Sequence, residues 1–260
     1  MRETPAPVVI KLGGSVLTGP RAYARAARWL ADRIFGAPLL VVVSAELGTT
    51  DRLLDEARQI DTRPDPRALD LLWATGELRS AALLALHLQS RGVPACALNV
   101  HETGLGRRGS ALSLRSARLR RALALHAIVI VPGFLGADER GAIVSLGRGG
   151  SDLSAVTLAA ALGARACELI KDVPGYFTAD PALHHDARHL PAIDFETAIG
   201  MAAAGCALVQ TEALEAARAR GVRLVITTTR SEDLRTIVSC EGESHAICDQ
   251  DDSRRAAVGA

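Results

Sequence analysis

Leu146-Gly147-Arg148-Gly149-Gly150-Ser151-Asp152 follows an apolar, strand-like run and opens the alanine-rich segment 153–162. A glycine-rich turn feeding a helix lets backbone N–H groups and the positive end of the helix dipole approach an anion, because no side chain intervenes. Phosphate is the first ligand such a turn suggests. Within it stand a fixed cation, Arg148, and a carboxylate, Asp152. They equip the loop for a carboxylate-bearing substrate and for the charge changes of a transfer reaction. The plain alternative is a glycine-rich strand-to-helix connection, and the rest of the chain has to decide between the two.

The same grammar recurs on both sides of this stretch. Residues 8–11 read as a buried strand ending in Leu12-Gly13-Gly14-Ser15, and 21–34 then carry helical periodicity. A lysine at the carboxyl end of a central strand, beside two glycines, can set its ammonium on a transferring phosphoryl group while glycine N–H groups hold neighbouring oxygens. The alternative for Lys11 is a strand-end lysine reaching solvent. Residues 39–43 form a second apolar strand that opens into Ser44-Ala45-Glu46-Leu47-Gly48-Thr49-Thr50-Asp51. Ser44 and Thr50 can donate to a substrate, and Thr49 or Thr50 serves equally well as a helix cap. Ligands of open α/β sheets lie outside the carboxyl ends of strands, so these loops would face one crevice.

Pro64 and Pro66 break the chain before a long helix over 68–89 that contains Thr75-Gly76-Glu77. A glutamate in an apolar helix requires a partner such as a substrate ammonium, unless it faces solvent. Residues 95–100 read as a third strand, and 101–110, with Arg107 and Arg108, as a mobile loop over the crevice. A basic helix over 115–124 and a strand over 127–131 follow. Pro132-Gly133-Phe134 then starts a hairpin with its tip at 138–141. After a helix over 154–162, the strand 166–170 ends in Lys171-Asp172-Val173-Pro174-Gly175-Tyr176-Phe177-Thr178-Ala179-Asp180-Pro181, a loop suited to a base and ribose or simply to the surface. Helices over 195–204 and 212–220 and a strand over 222–226 complete the alternation. No repeat or linker interrupts it, which predicts a three-layer α/β/α sandwich with a mainly parallel central sheet.

Composition narrows the partners. A net charge of +1 and 3% aromatic residues supply neither a basic field nor stacking platforms for nucleic acid. Arg or His breaks every apolar run before membrane-spanning length, and 1–7 lacks the regions of a secretory signal, so a soluble, cytoplasmic protein is expected. Cys96, Cys167, Cys206, Cys240 and Cys248 have no paired spacing and read as structural thiols; Cys240, Cys248 and His245 are the weaker alternative of a metal site. Basic residues are almost all arginine, and the only lysines, Lys11 and Lys171, both stand at strand ends beside glycine or acidic loops.

Five ordered stretches, Lys11 to Ser15, Ser44 to Thr50, Gly76-Glu77, Leu146 to Asp152 and Asp172 to Pro181, resemble the catalytic domain of aspartate kinases in the amino acid kinase family. The resemblance implies that fold, an ATP- and Mg2+-dependent phosphotransfer to a small amino acid's carboxylate, and a homodimer. By it Lys11 stabilises the transferring phosphoryl group and Gly13 and Gly14 hold phosphate. Glu77 binds the substrate ammonium, Arg148 its carboxylate, and Asp152 organises the site. Ser44 and Thr50 fall on the substrate side, and Lys171, Asp172, Phe177 and Asp180 where the family holds ATP. Residues 1–230 would then form one catalytic unit with an N-terminal substrate lobe and a C-terminal nucleotide lobe, and 231–260 a short strand and polar tail too short for amino-acid-binding regulatory domains.

Departures from the family pattern sharpen the expectations. Gly205-Cys206-Ala207-Leu208-Val209-Gln210-Thr211 lacks the lysine expected near Ala207, and Lys171 stands where a threonine is usual. Lys171 is expected to replace the missing ammonium. Arg107 and Arg108 replace the usual ending of their loop, which leaves another small acid or a phosphate monoester as an alternative acceptor, and a nucleotide- or anion-binding protein with little catalysis as a third reading.

Overall fold

A computed structural model describes residues 5–109, 111–115, 117–147, 149–206, 208–230 and 233–240. Arg148, Ala207 and 241–260 of the expected tail lie outside them. The elements run β1 (Val8–Leu12), a short 3-10 turn (Gly14–Leu17), α1 (Pro20–Ala31), β2 (Leu39–Val43), α2 (Thr49–Ile60), α3 (Pro66–Gln89), β3 (Ala95–Ala97), α4 (Val100–Thr103), β4 (Leu105–Arg108), β5 (Ala111–Leu114) and α5 (Ala117–Leu125). There follow β6 (Ile128–Pro132), β7 (Leu135–Ala137), β8 (Ile143–Ser145), α6 (Gly150–Ala161), β9 (Ala166–Ile170), β10 (Ala192–Asp194), α7 (Phe195–Ala203), α8 (Thr211–Arg220), β11 (Arg223–Thr227) and β12 (Thr236–Ser239).

Eight strands form the central sheet in the order β10-β12-β11-β9-β1-β2-β6-β3. Every described neighbour pair in it is parallel except β11 with β12. The near-continuous valine, isoleucine and leucine runs are what a sheet covered on both faces demands. Alternation along each strand divides those residues between two cores. Val9, Leu40, Val42, Val129, Val131 and Leu169 pack with residues of α5 to α8. Ile10, Leu12, Val41, Ile130 and Ile170 pack with residues of α1 and α3. The two layers of helices thus follow from the period of two in the strands.

That period also places the two lysines. Lys11 has the parity of Val9, and Lys171 that of Leu169, so both project toward the face carrying α6. Lys11 pairs in register with Leu169 across β1 and β9. The chain moves from β1 outward to β2 on one side and returns through β9 on the other, which makes the carboxyl end of β1 the point where strand order reverses.

Two expectations are corrected. The strand expected over 95–100 ends at Ala97, because Asn99 caps α4 through a reciprocal pair of hydrogen bonds with Glu102. The loop expected over 101–110 is replaced, among its described residues, by the end of α4 and by β4, which pairs antiparallel with β5 and parallel with β7 within a second sheet ordered β5-β4-β7-β8. The hairpin after Pro132 is present as β7 and β8, and β12 supplies the short strand expected after residue 230.

Candidate active site

Two strand ends, those of β1 and β9, meet the start of α6 at Asp152. It sits in the first turn of α6, 4% exposed, behind a glycine connection in which Gly149 adopts φ 73°. A Cβ on Gly149 would lie 2.3 Å from Gln210 Cγ, so both the backbone conformation and the packing require glycine there. Lys11 Nζ lies 2.8 Å from Asp152 Oδ1 in a buried ion pair. Lys171 Nζ donates to Oδ2 at 2.7 Å. The only two lysines of the chain therefore grip the two oxygens of one buried carboxylate. Burial alone would raise the pKa of Asp152, but the ammonium groups of Lys11 and then Lys171 hold it down at about 2. Burial, and next the charge of Lys11, lower the pKa of Lys171.

The glycine turn after β1 is built by close approach to the next loop. A Cβ on Gly14 would stand 2.4 Å from the carbonyl oxygen of Ala45. Leu47 donates its N–H to Gly14, and Ser44 to Leu12, which ties the 44–50 loop to the end of β1. The expectation that both glycine N–H groups face an anion is corrected for Gly13, whose N–H donates to Ile170 at 3.1 Å and joins β1 to the end of β9.

Glu77 enters the same cleft from α3, 3% exposed. It accepts from the N–H of Ala45, while Oε2 is buried without a partner. Burial pushes its pKa up to about 8, against the pull of that N–H and of Lys11. An unpaired buried carboxylate oxygen is a vacancy for a donor. Arg79, two residues along α3, pairs with Glu46 at 2.6 Å and clamps the 44–50 loop to the helix that carries Glu77.

Lys11, Ser44, Thr50, Glu77, Asp152 and Lys171 all line one cleft of about 610 Å3. Asp172 instead lines a small cavity of about 50 Å3 beside Ser15 and Arg230. Phe177 lies outside the cleft with its ring edge-on to His189, and Asp180 is exposed and accepts from the N–H of Ala182. Trp73, Ser145 and Gln210 are among the residues of the cleft that were not singled out from the sequence. Trp73 was findable, since it stands one helical turn before Glu77 on the same face. Its indole N–H donates to the Thr50 carbonyl at 3.1 Å, and its ring meets that of Phe134 edge-on. Phe134, at φ 65°, is the one described non-glycine residue in the left-handed region, and it too lines the cleft.

Residues 6–228 match the amino acid kinase family. The aspartokinase of Thermus thermophilus is 40% identical over 237 residues, 89% of this chain and 58% of that protein. An aspartate kinase of Stutzerimonas stutzeri is 38% identical over 242 residues, 91% of this chain and 59% of the relative. The chain thus spans a little over half the length of these relatives. The crystal structure of aspartate kinase from Synechocystis superposes with a TM-score of 0.82 at 37% identity, covering 90% of this chain and 40% of that one. The UMP kinase from Ureaplasma parvum, 16% identical with a TM-score of 0.65, shares the fold and is covered along 100% of its length.

Proposed function

The chain belongs to the amino acid kinase family, and from that premise we propose that it transfers the γ-phosphoryl group of ATP to the side-chain carboxylate of L-aspartate. The observation that carries this reading is the convergence of Lys11 and Lys171 on Asp152 in a cleft that also holds Glu77, whose Oε2 has no partner. A carboxylate oxygen of the acceptor attacks the γ-phosphorus in line, the bond to the β–γ bridging oxygen breaks, and ADP leaves with that electron pair. The acceptor is already ionised at neutral pH, so no base has to remove a proton. Catalysis then reduces to positioning and to neutralising charge on the transferring group.

Lys11 and Lys171 supply the cations, and Asp152 holds both ammonium groups at one point before substrate arrives. Glu77 receives the acceptor's ammonium, Ser44 and Thr50 contact its polar atoms, and Arg148 takes its α-carboxylate. Arg148 apart, the acceptor side comes from the N-terminal half of the chain; Lys11 and the Gly13-Gly14 turn apart, the nucleotide side comes from the C-terminal half, with Asp172, Phe177 and Asp180 near the base and ribose. Mg2+ would enter on the triphosphate. Both oxygens of Asp152 are ion-paired, and the described residues contain no cluster of three or more His, Cys, Asp or Glu side chains suited to a metal. We also propose a homodimer. Hydroxylamine trapping with Mg-ATP and L-aspartate is expected to yield a hydroxamate; turnover only with another carboxylate or a phosphate monoester would reassign the acceptor.

Lys171 is tested against the missing lysine at position 207. Ala207 lies outside the described residues, but its neighbour Leu208 lines the cleft. Lys171→Thr is expected to lower kcat about 10- to 100-fold, the scale of losing one of two electrostatic contacts. Adding Ala207→Lys should restore most of it. A harmless Lys171→Thr would remove the ammonium of Lys171 from the chemistry.

Glu77 gives a pH signature. Its carboxylate, not its acid, receives an ammonium, so kcat/KM for aspartate is expected to rise with pH up to about 8 and then level, as read from initial rates. Glu77→Gln should flatten that rise and increase KM by at least tenfold. Because the folded-state pKa stands above the ordinary 4.5, the free protein loses stability as pH rises from about 4.5 to about 8. Saturating aspartate should reduce that loss in a thermal melt.

A further inference from the structure

A second cavity, of about 660 Å3, opens beside the catalytic cleft and shares Leu54, Trp73 and Ser145 with it. Three guanidinium groups reach it from separate elements: Arg58 from the last turn of α2, Arg63 from the α2–α3 connection and Arg107 from β4. Arg58 and Arg63 form no ion pair among the described residues. Arg107 donates to the backbone carbonyls of Gly109, at 3.0 Å, and Ser145, neither of which neutralises its charge. Two carboxylates also face the cavity, Asp70 and Asp138, and the second already accepts from the N–H groups of Arg140 and Ala142 at 2.9 and 2.8 Å. The lining therefore presents one more positive charge than negative, with Leu69, Val144 and Trp73 as apolar wall.

Planar guanidinium groups around a concave surface with an apolar wall are the chemistry that recognises planar or tetrahedral anions attached to an organic body. We propose that this cavity is an accessory binding site for a small organic dianion, a phosphate monoester or a dicarboxylate, separate from the Lys11–Asp152–Lys171 cluster. The anion would lie between Arg58, Arg63 and Arg107, with its carbon skeleton against Trp73. Trp73 forms the partition between the two cavities, so its fluorescence reports occupancy without any turnover.

The chain has two tryptophans, and the other, Trp29, lies on α1 with the Arg33 guanidinium 4.3 Å over its ring. In a Trp29→Phe background Trp73 is the sole tryptophan, and excitation at the red edge of its absorption avoids the two tyrosines. Titration with phenyl phosphate, and separately with phthalate, is expected to change that emission saturably. Whether one or both probes bind distinguishes phosphate from dicarboxylate recognition. Arg58→Ala with Arg63→Ala, two exposed positions outside the catalytic machinery, should weaken the binding at least tenfold. Lys11→Met should leave it within twofold. No saturable change with either probe would overturn the proposal, as would a signal lost in Lys11→Met and kept in the double arginine variant, because that signal would come from the catalytic cleft.

Discussion

Lys11→Met is expected to lower kcat by about 10²- to 10³-fold, the cost of removing one preorganised charge from a developing transition state, equivalent to about 3–4 kcal/mol. The expectation rests on where the ammonium stands. Lys11 is 6% exposed at the end of a strand flanked on both sides by parallel neighbours, and its ammonium is held 2.8 Å from Asp152 Oδ1. Methionine retains the length and apolar stem, and Asp152 keeps Lys171 at 2.7 Å, so the variant should fold. Hydroxamate formation with aspartate measures the loss, and nucleotide binding by calorimetry should change by less than the rate does. Turnover within tenfold of the parent would place phosphoryl transfer away from β1 and overturn the assignment of this cleft.

The strands that position Lys11 were legible because their apolar runs have few competing readings. A five-residue valine and leucine run bounded by glycine or polar loops is too short for a typical helix and too apolar for a surface element. Even the meeting of the two lysines follows from parity, once β1 and β9 are neighbours. Neighbourhood itself was not legible: nothing in either strand says that Leu169 pairs with Lys11 rather than with a residue of β2. The β4–β5 hairpin escaped for a different reason. Its two-residue connection begins with Gly109 at φ 58°, a usable turn signal, but Leu105 to Arg108 carries two arginines and a glycine and lacks strand composition. Pairing with β7 decides its state. In the cleft, residues that bear charge were found and residues that bear shape were not. Trp73 and Phe134 meet edge-on from α3 and the β6–β7 turn, sixty-one positions apart by residue number, a contact that depends on packing alone.

Asp152→Asn should have the largest effect on stability. Removing one partner from a buried ion pair costs about 3–5 kcal/mol, since it leaves an uncompensated charge. Here the loss leaves two ammonium groups facing each other around a neutral amide. The lysine with the already lowered pKa, Lys171, then has the easier escape, by losing its proton. The folded variant would hold Lys171 below its ordinary 10.5 while the unfolded chain keeps it there, so the unfolded state binds more protons and stability rises with pH through that window. Urea denaturation of Asp152→Asn is therefore expected to show a lower midpoint than the parent at pH 7, with part of the difference recovered near pH 9.5. The parent has a dependence of the same sign at the acid end: the Asp152 pKa is depressed from 3.8 to about 2, so its contribution is present above about 4 and fades as pH falls through 2. Lys171→Met in the Asp152→Asn background removes the repulsion and should regain stability at pH 7, although in the parent background the same change costs stability by breaking a pair. That reversal of sign is the coupling a double-mutant cycle measures. A cycle that closes additively, or an Asp152→Asn variant within about 1 kcal/mol of the parent, would show that the three side chains do not act as one charged unit.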